Sequence, residues 1–293
     1  MALVLATLLA LTLGVFLARP GARGHKRSAR VAQAGESFLL SASLMEYGLW
    51  LAGPFARLAT RLGLSPDLLS WGSLVFHFAA AAALAGGRFS PAAWLLVLGG
   101  ACDSLDGSVA RARGLASDAG EVLDAAIDRW AEMAVFFGLA YHYRASDLGM
   151  GLSLFAAAGA VMVSYTRAKA QAMGVGSSGG FMQRHERAVY LIAAVLAAAL
   201  LEAYGGSQAR VPVEGFPLPL ADWPVLAALA VIGFFATVAS LQRTARTREV
   251  LRDSGTEAEA TEFGQDAGAT DSGTEAGATG FGTEARADAG GGR

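Results

Sequence analysis

The sequence predicts an all-α integral membrane protein: a bundle of six transmembrane helices, preceded by an interfacial amphipathic helix and an extra N-terminal anchor helix. Three observations carry this prediction. Of 293 residues, 54% are hydrophobic and 16% charged, against about 25% charged in an ordinary soluble protein. Six apolar stretches, at about 68–86, 91–113, 118–143, 147–172, 186–204 and 223–242, approach or reach the ~20 residues that a helix needs to cross a bilayer core. The basic residues also fall on one side when those stretches are alternated across a membrane. Inside lipid no water satisfies the backbone, so each stretch must be helical. The single cysteine, Cys102, excludes an intrachain disulfide and reads as a small packing residue.

The elements follow in order. Ala2–Ala18 is an apolar run with Arg19, Arg23, Lys26, Arg27 and Arg30 after it. A cleaved signal peptide carries its positive charge before the apolar run, so an uncleaved anchor is the better reading. In 44–63, Trp50, Leu51, Phe55, Leu58 and Leu62 alternate with Arg57 and Arg61, and Pro54 interrupts. That pattern suits a helix lying in the membrane surface. Ser90-Pro91 opens the second span as N-cap and first helical residue. Ser117, Ser146 and Asp222 are N-cap candidates for the third, fourth and sixth. His77, in mid-span, reads as a packed or helix-bonded histidine.

With the 19–67 segment on the inner side, the outer loops carry only Arg88, Arg144 and Arg210, and the other 20 of 23 Lys and Arg lie inside. This bias orients a cell (inner) membrane protein with its charged helix ends in the cytoplasm. The aromatic cluster Tyr141, His142 and Tyr143 then sits at the outer interface. Three regions result: an anchor and basic linker at 1–43, a membrane domain at 44–252, and an acidic tail at 253–293. Residues 1–252 hold 21 basic and 16 acidic residues, a net +5; the tail holds 2 and 9, a net −7. The tail contains a near repeat, DSGTEAEATEFG at 253–264 and DSGTEAGATGFG at 271–282. It is too polar to bury a core and reads as disordered.

The segment 102–130 breaks the pattern of a lipid-facing helix. Asp103, Asp106, Asp124 and Asp128 stand at the ends of two apolar spans, where ionisable groups are costly and mark function. Asp103 and Asp106 are i, i+3 on one helix; Asp124 and Asp128 are i, i+4 on the next, so each pair shares a face. A short turn makes the helices antiparallel and lets the faces meet. Four such carboxylates repel one another unless a cation lies between them. Hard oxygen ligands suit Mg²⁺, Mn²⁺ or Ca²⁺, and two ions form a clamp for in-line displacement at phosphorus. Gly107 and Ala110 leave room for a ligand beside the backbone, and Arg111 can meet phosphate oxygens in a bidentate manner. Gly120, one turn before Asp124, is expected to let the two helices approach closely.

The string runs Asp103, two residues, Asp106-Gly107, two residues, Ala110-Arg111, eight residues, Gly120, three residues, Asp124, three residues, Asp128. Every fixed position and gap resembles the signature of the CDP-alcohol phosphotransferases, over about 65–242. The resemblance implies six spans behind an interfacial helix, CDP-diacylglycerol as donor, and release of CMP. It implies that Asp103, Asp106 and Asp124 bind metal, Mg²⁺ or Mn²⁺ with two ions. Asp128 would bridge metal and act as the base for the incoming hydroxyl. Asp103, Gly107, Ala110 and Arg111 would line the CDP site. A homodimer is implied too; nothing calls for a nucleic-acid partner. Asp67, in Ser65-Pro66-Asp67, departs from the Pro-Asn pair of many relatives.

A second basic cluster, Arg167, Lys169, Arg184 and Arg187, reads as a phosphate pocket for the alcohol acceptor or as inner-face anchoring. Ser164–Ala170, Gly179-Gly180 and Arg184-His185-Glu186-Arg187 resemble the phosphatidylinositol and phosphatidylinositol-phosphate synthase branch, with His185 where proline is common; the LDAAIDR string at 123–129 leans the same way. Inositol phosphate, or inositol, is then the leading acceptor. Phosphatidylglycerophosphate synthase or another phosphotransferase of the family is the alternative. A cation-binding transporter is the reading from a different class. Gly107, Ala110 and Arg111 argue against it, since a cation path needs no diphosphate-binding arginine.

Overall fold

The computed structural model describes residues 1–19, 42–176, 182–205 and 218–271, and the elements it contains there are all helical. They are α1 (Ala2–Leu17), α2 (Ala42–Arg61), α3 (Pro66–Ala85), α4 (Phe89–Ala112), α5 (Asp118–His142), α6 (Asp147–Ala172), α7 (Arg184–Ala203), a 3-10 turn (Leu220–Asp222) and α8 (Trp223–Asp271). Three helical segments are long and apolar enough to cross a membrane by length and composition: Pro66–Ala85, Asp147–Ala172 and Leu220–Asp253. Helices α4, α5 and α7 run to 24, 25 and 20 residues and carry charged side chains in their turns.

The caps largely follow the sequence. Ser65 Oγ accepts from Leu68 N–H at 3.2 Å ahead of Pro66. Ser117 and Ser146 cap α5 and α6 by accepting from Gly120 and Gly149 N–H, each at 3.2 Å. The start of α4 differs: its N-cap is Arg88, not Ser90, and Pro91 falls at the third helical position. The first turn has no intrahelical use for that N–H, so proline fits there as well. Helix α7 starts two residues before the apolar stretch, at Arg184, where Glu186 Oε2 accepts from Gln183 N–H at 2.7 Å.

Small residues set the packing. Between lipid-facing helices burial gains little, and close van der Waals contact does the work. Ala80, Ala92, Ala156, Ala160, Ala198 and Ala236 are fully buried in one core with Leu84, Phe89, Phe136 and Leu139. A Cβ on Gly138 of α5 would strike the backbone of Ala81 in α3. One on Gly159 of α6 would lie 3.1 Å from Ala236 Cβ of α8. His77 is held as expected: its Nδ1 lies 2.8 Å from Ser73 O, and a Cβ on Gly99 would sit 2.6 Å from its ring.

Helix α1, 16 residues long, packs on this core through Ala2 and Leu5. Thr12 Oγ1 and Tyr47 Oη are 2.7 Å apart, and Phe16 lies 5.7 Å from the rings of both Tyr47 and Trp50. Helix α2 continues through Pro54. It exposes Phe55 and Leu58 and buries Ala59 in a small cluster with Leu69, Leu105 and Val109. Arg113 Nη1, just past α4, donates to Gly63 O at 3.2 Å and Leu64 O at 2.9 Å, fixing the turn after α2.

The chain divides into two compact units, Met1–Ala245 and Arg246–Arg293. In the second, helix persists to Asp271, where the sequence reading has disorder from 253. The stretch is rich in Ala and Glu, both strong helix formers, and lengthening an existing helix needs no new nucleus. Gly179-Gly180, Arg210, most of the basic linker and most of the repeat's second copy lie outside the described residues.

Candidate active site

Three helix ends build the site. The last turns of α4 supply Asp103 and Asp106, the first turns of α5 supply Asp124 and Asp128, and α7 opens beside them with Arg184 and Arg187. Carboxylate oxygens of Asp103, Asp106 and Asp124 all lie within 4.8 Å of one another. Asp106 is buried, with Asp103 and Asp124 half-buried. Ser70 Oγ of α3 donates to Asp106 Oδ2 at 2.6 Å, and Gly107 N–H donates to Oδ1. These two donors fix the Asp106 carboxylate on both oxygens. Ser70 is a site residue that the sequence reading missed. Its one signal was a polar stripe, Ser70, Ser73 and His77 at i, i+3 and i+7, on an otherwise apolar span.

Asp128 lies beside this trio, next to Asp103. It is buried, and its Oδ1 lies 2.7 Å from Arg184 Nη2. The contact is an ion pair out of line for a hydrogen bond, since Oδ1 has no hydrogen-bond partner. Arg184 Nη1 donates to both oxygens of Asp103, at 3.1 and 3.0 Å. One guanidinium from α7 therefore ties α4 to α5. Three of the four aspartates gather within 4.8 Å, and the fourth, Asp128, adjoins Asp103 under the same guanidinium.

The basic cluster also divides. Arg187 is 2% exposed. Its Nε and Nη2 donate to Glu132 Oε1 and Oε2 at 2.7 and 2.9 Å, and its Nη1 to Met182 O at 2.7 Å. This bidentate pair fastens α7 to α5 and commits all three nitrogens. Arg187 thus acts as a clamp between α7 and α5, with its bidentate face taken up by Glu132. Arg167 and Lys169, on the last turns of α6, are exposed. Arg111 folds back over Gly107, where an added Cβ would lie 3.1 Å from its Nη2. Gly107 thus makes room for that guanidinium, with Ala110 half-buried beside it. Gly120 does not serve a close helix approach: a Cβ there would meet only Ser117 Oγ, at 3.4 Å. Gly138, five turns further along the same face of α5, takes that part.

The family profile for CDP-alcohol phosphatidyltransferase matches residues 63–239, which take in α3 to α7 and the first part of α8. The chain belongs to this family. It is an enzyme, a metal-dependent CDP-alcohol phosphatidyltransferase of phospholipid synthesis. The chain is 37% identical to the phosphatidylinositol phosphate synthase of Mycobacterium tuberculosis over 147 residues, 47% of this chain and 66% of that one. It is 33% identical to that of Mycobacteroides abscessus over 205 residues, covering 67% and 84%. The crystal structure of the M. tuberculosis synthase with CDP-DAG bound superposes with a TM-score of 0.55 at 25% identity, covering 67% of this chain and 92% of that chain. The same synthase in complex with manganese and citrate gives a TM-score of 0.55 at 25% identity, covering 67% and 88%.

Proposed function

We propose that this family member transfers a phosphatidyl group from CDP-diacylglycerol to inositol phosphate, releasing CMP. The observation that carries the reading is the group of three carboxylates within 4.8 Å, with the Arg184 guanidinium seated on one of them. Relatives named as phosphatidylinositol phosphate synthases support the choice of acceptor.

Asp103, Asp106 and Asp124 suit a hard divalent cation, because all their donors are carboxylate oxygens and Asp106 is already oriented by Ser70 and Gly107. Two ions, Mg²⁺ or Mn²⁺, are held there, with Asp128 on the second. Bound cations neutralise charge on the diphosphate and align it for displacement. Asp103, Gly107, Ala110 and Arg111 form the CDP side, with Arg111 pairing a phosphate oxygen. On the other side Arg184, Arg167 and Lys169 take the acceptor's phosphate. An acceptor hydroxyl oxygen forms the new bond to the lipid-side phosphorus, the bond from that phosphorus to CMP breaks, and the hydroxyl proton passes to Asp128.

The same reading fixes the setting. Helices α3 to α8 are the six spans of an inner-membrane protein whose aspartates face the cytoplasm, α2 lies in the interface, and α1 is a retained anchor. Residues 44–252 form the catalytic domain, working as a homodimer, and 253–293 are dispensable for catalysis. The test is CMP release by purified protein with CDP-diacylglycerol and, at matched concentration, inositol phosphate, free inositol, glycerol 3-phosphate or serine. Inositol phosphate is expected to be fastest. Faster turnover with free inositol removes the phosphate pocket; faster turnover with glycerol 3-phosphate keeps the pocket and changes the acceptor.

A further inference from the structure

Arg184 has an unusual position for a residue assigned to an acceptor. Its guanidinium already holds both oxygens of Asp103, at 3.1 and 3.0 Å, and lies 2.7 Å from Asp128 Oδ1. Asp103 is one of the three clustered carboxylates, so Arg184 sits on the very group that suits a divalent ion. A carboxylate has lone pairs to share between two partners. A guanidinium and a divalent ion on one carboxylate are nevertheless like charges a few ångströms apart, and they repel.

The base of the side chain is held in a fixed turn, and its tip is bound to carboxylates and part-exposed. Arg187, one turn on, is clamped to Glu132, and Glu186 Oε2 closes the first turn of α7 on Gln183. The Arg184 side chain is 30% exposed, against 2% for Arg187. It can leave the aspartates without moving the helix.

We propose that Arg184 and the divalent cation compete for Asp103 and Asp128, so that cation loading displaces the guanidinium and turns it over to the acceptor's phosphate. This rests on the reading that the aspartates hold a divalent cation. Binding is then ordered: the cation comes first, and the acceptor gains its arginine only afterwards. The same linkage makes Arg184 a brace for α4 and α5 whenever the carboxylates lack an ion, a positioning role distinct from contact with substrate.

The test measures Mn²⁺ binding to the full-length protein by calorimetry, for wild type, Arg184→Ala, Arg184→Lys and, as a control for lost charge, Arg167→Ala. Removing the competitor is expected to tighten Mn²⁺ binding at least about tenfold in Arg184→Ala, while the exposed Arg167 changes it less than about threefold. In chelator Arg184→Ala melts below wild type, and Mn²⁺ raises its Tm by more, as binding linkage requires. Should Arg184→Ala fail to stay folded, Arg184→Lys decides: lysine keeps the charge but cannot span two carboxylates, so Mn²⁺ binds about threefold tighter. Inositol phosphate should bind wild type only when Mn²⁺ is present. Equal or weaker Mn²⁺ affinity in both Arg184 variants overturns the competition. Wild type that binds no Mn²⁺ at all overturns the metal reading beneath it.

Discussion

The two ends of helix α5 carry similar residues and put them to different uses. At Asp118–Asp128, carboxylates from α4 and α5 crowd together, three of them within 4.8 Å, and one arginine serves two of them. At the other end Asp222 and Glu202 face His142, and no group of three clustered carboxylates forms there among the described residues. His142 Nε2 lies 3.6 Å from Asp222 Oδ1, and the Arg144 guanidinium stacks 4.4 Å from the Tyr141 ring. Tyr143 is buried against Gly149, where an added Cβ would lie 2.7 Å from it. A surplus of carboxylates costs free energy unless a ligand balances it. Three carboxylates gathered within 4.8 Å, and not the mere presence of charge, separate the catalytic end from the structural one.

The sharpest way to break this contrast is at Asp106, buried inside the group of three. Asp106→Asn should lower turnover more than the ~10–100-fold that removing an outer partner of a metal site costs, measured as CMP release at saturating substrate. Next comes Arg187→Ala. It strands the Glu132 carboxylate, and breaking a buried pair costs about 3–5 kcal/mol; a lower melting temperature with or without Mn²⁺ is the readout. Unchanged stability with a raised Michaelis constant for the acceptor would return Arg187 to the ligand role the sequence suggested. Ser70→Ala removes the hydroxyl 2.6 Å from Asp106 and should weaken metal binding about 10-fold with the fold intact. At the opposite end, Asp222→Asn alters a buried group beside His142 and should lower the melting temperature while leaving turnover unchanged. Smallest of all, cutting the chain after Arg252 should leave turnover within about twofold, because the removed segment is polar and terminal.

How much of this was legible in the sequence depended on the kind of signal. Asp103, Asp106 and Asp124 could be read because carboxylates in an apolar helix have no cheap explanation, and helical spacing puts them on shared faces. The pairing of Arg187 with Glu132 could not be read. It joins residues 55 apart in sequence, and an arginine at a cytoplasmic helix end looks the same whether it holds a ligand or a neighbour. Arg184 and Arg187 illustrate this: they are one turn apart and equally charged, and burial alone parts them. Ser70 carried no charge to draw notice. Gly120 and Gly138 are both helical glycines, and only tertiary packing reveals that Gly138 faces the backbone of Ala81. The helix to Asp271 was not legible because composition speaks to the absence of a core, whereas local Ala and Glu content favours extending a helix already begun.

The most direct test of the central claim follows CMP release from CDP-diacylglycerol and inositol phosphate in excess chelator, then after adding back Mn²⁺ or Mg²⁺. The account predicts release at background with chelator, full recovery with either ion, and no recovery in Asp103→Asn, Asp106→Asn or Asp124→Asn. Undiminished release in chelator would contradict it.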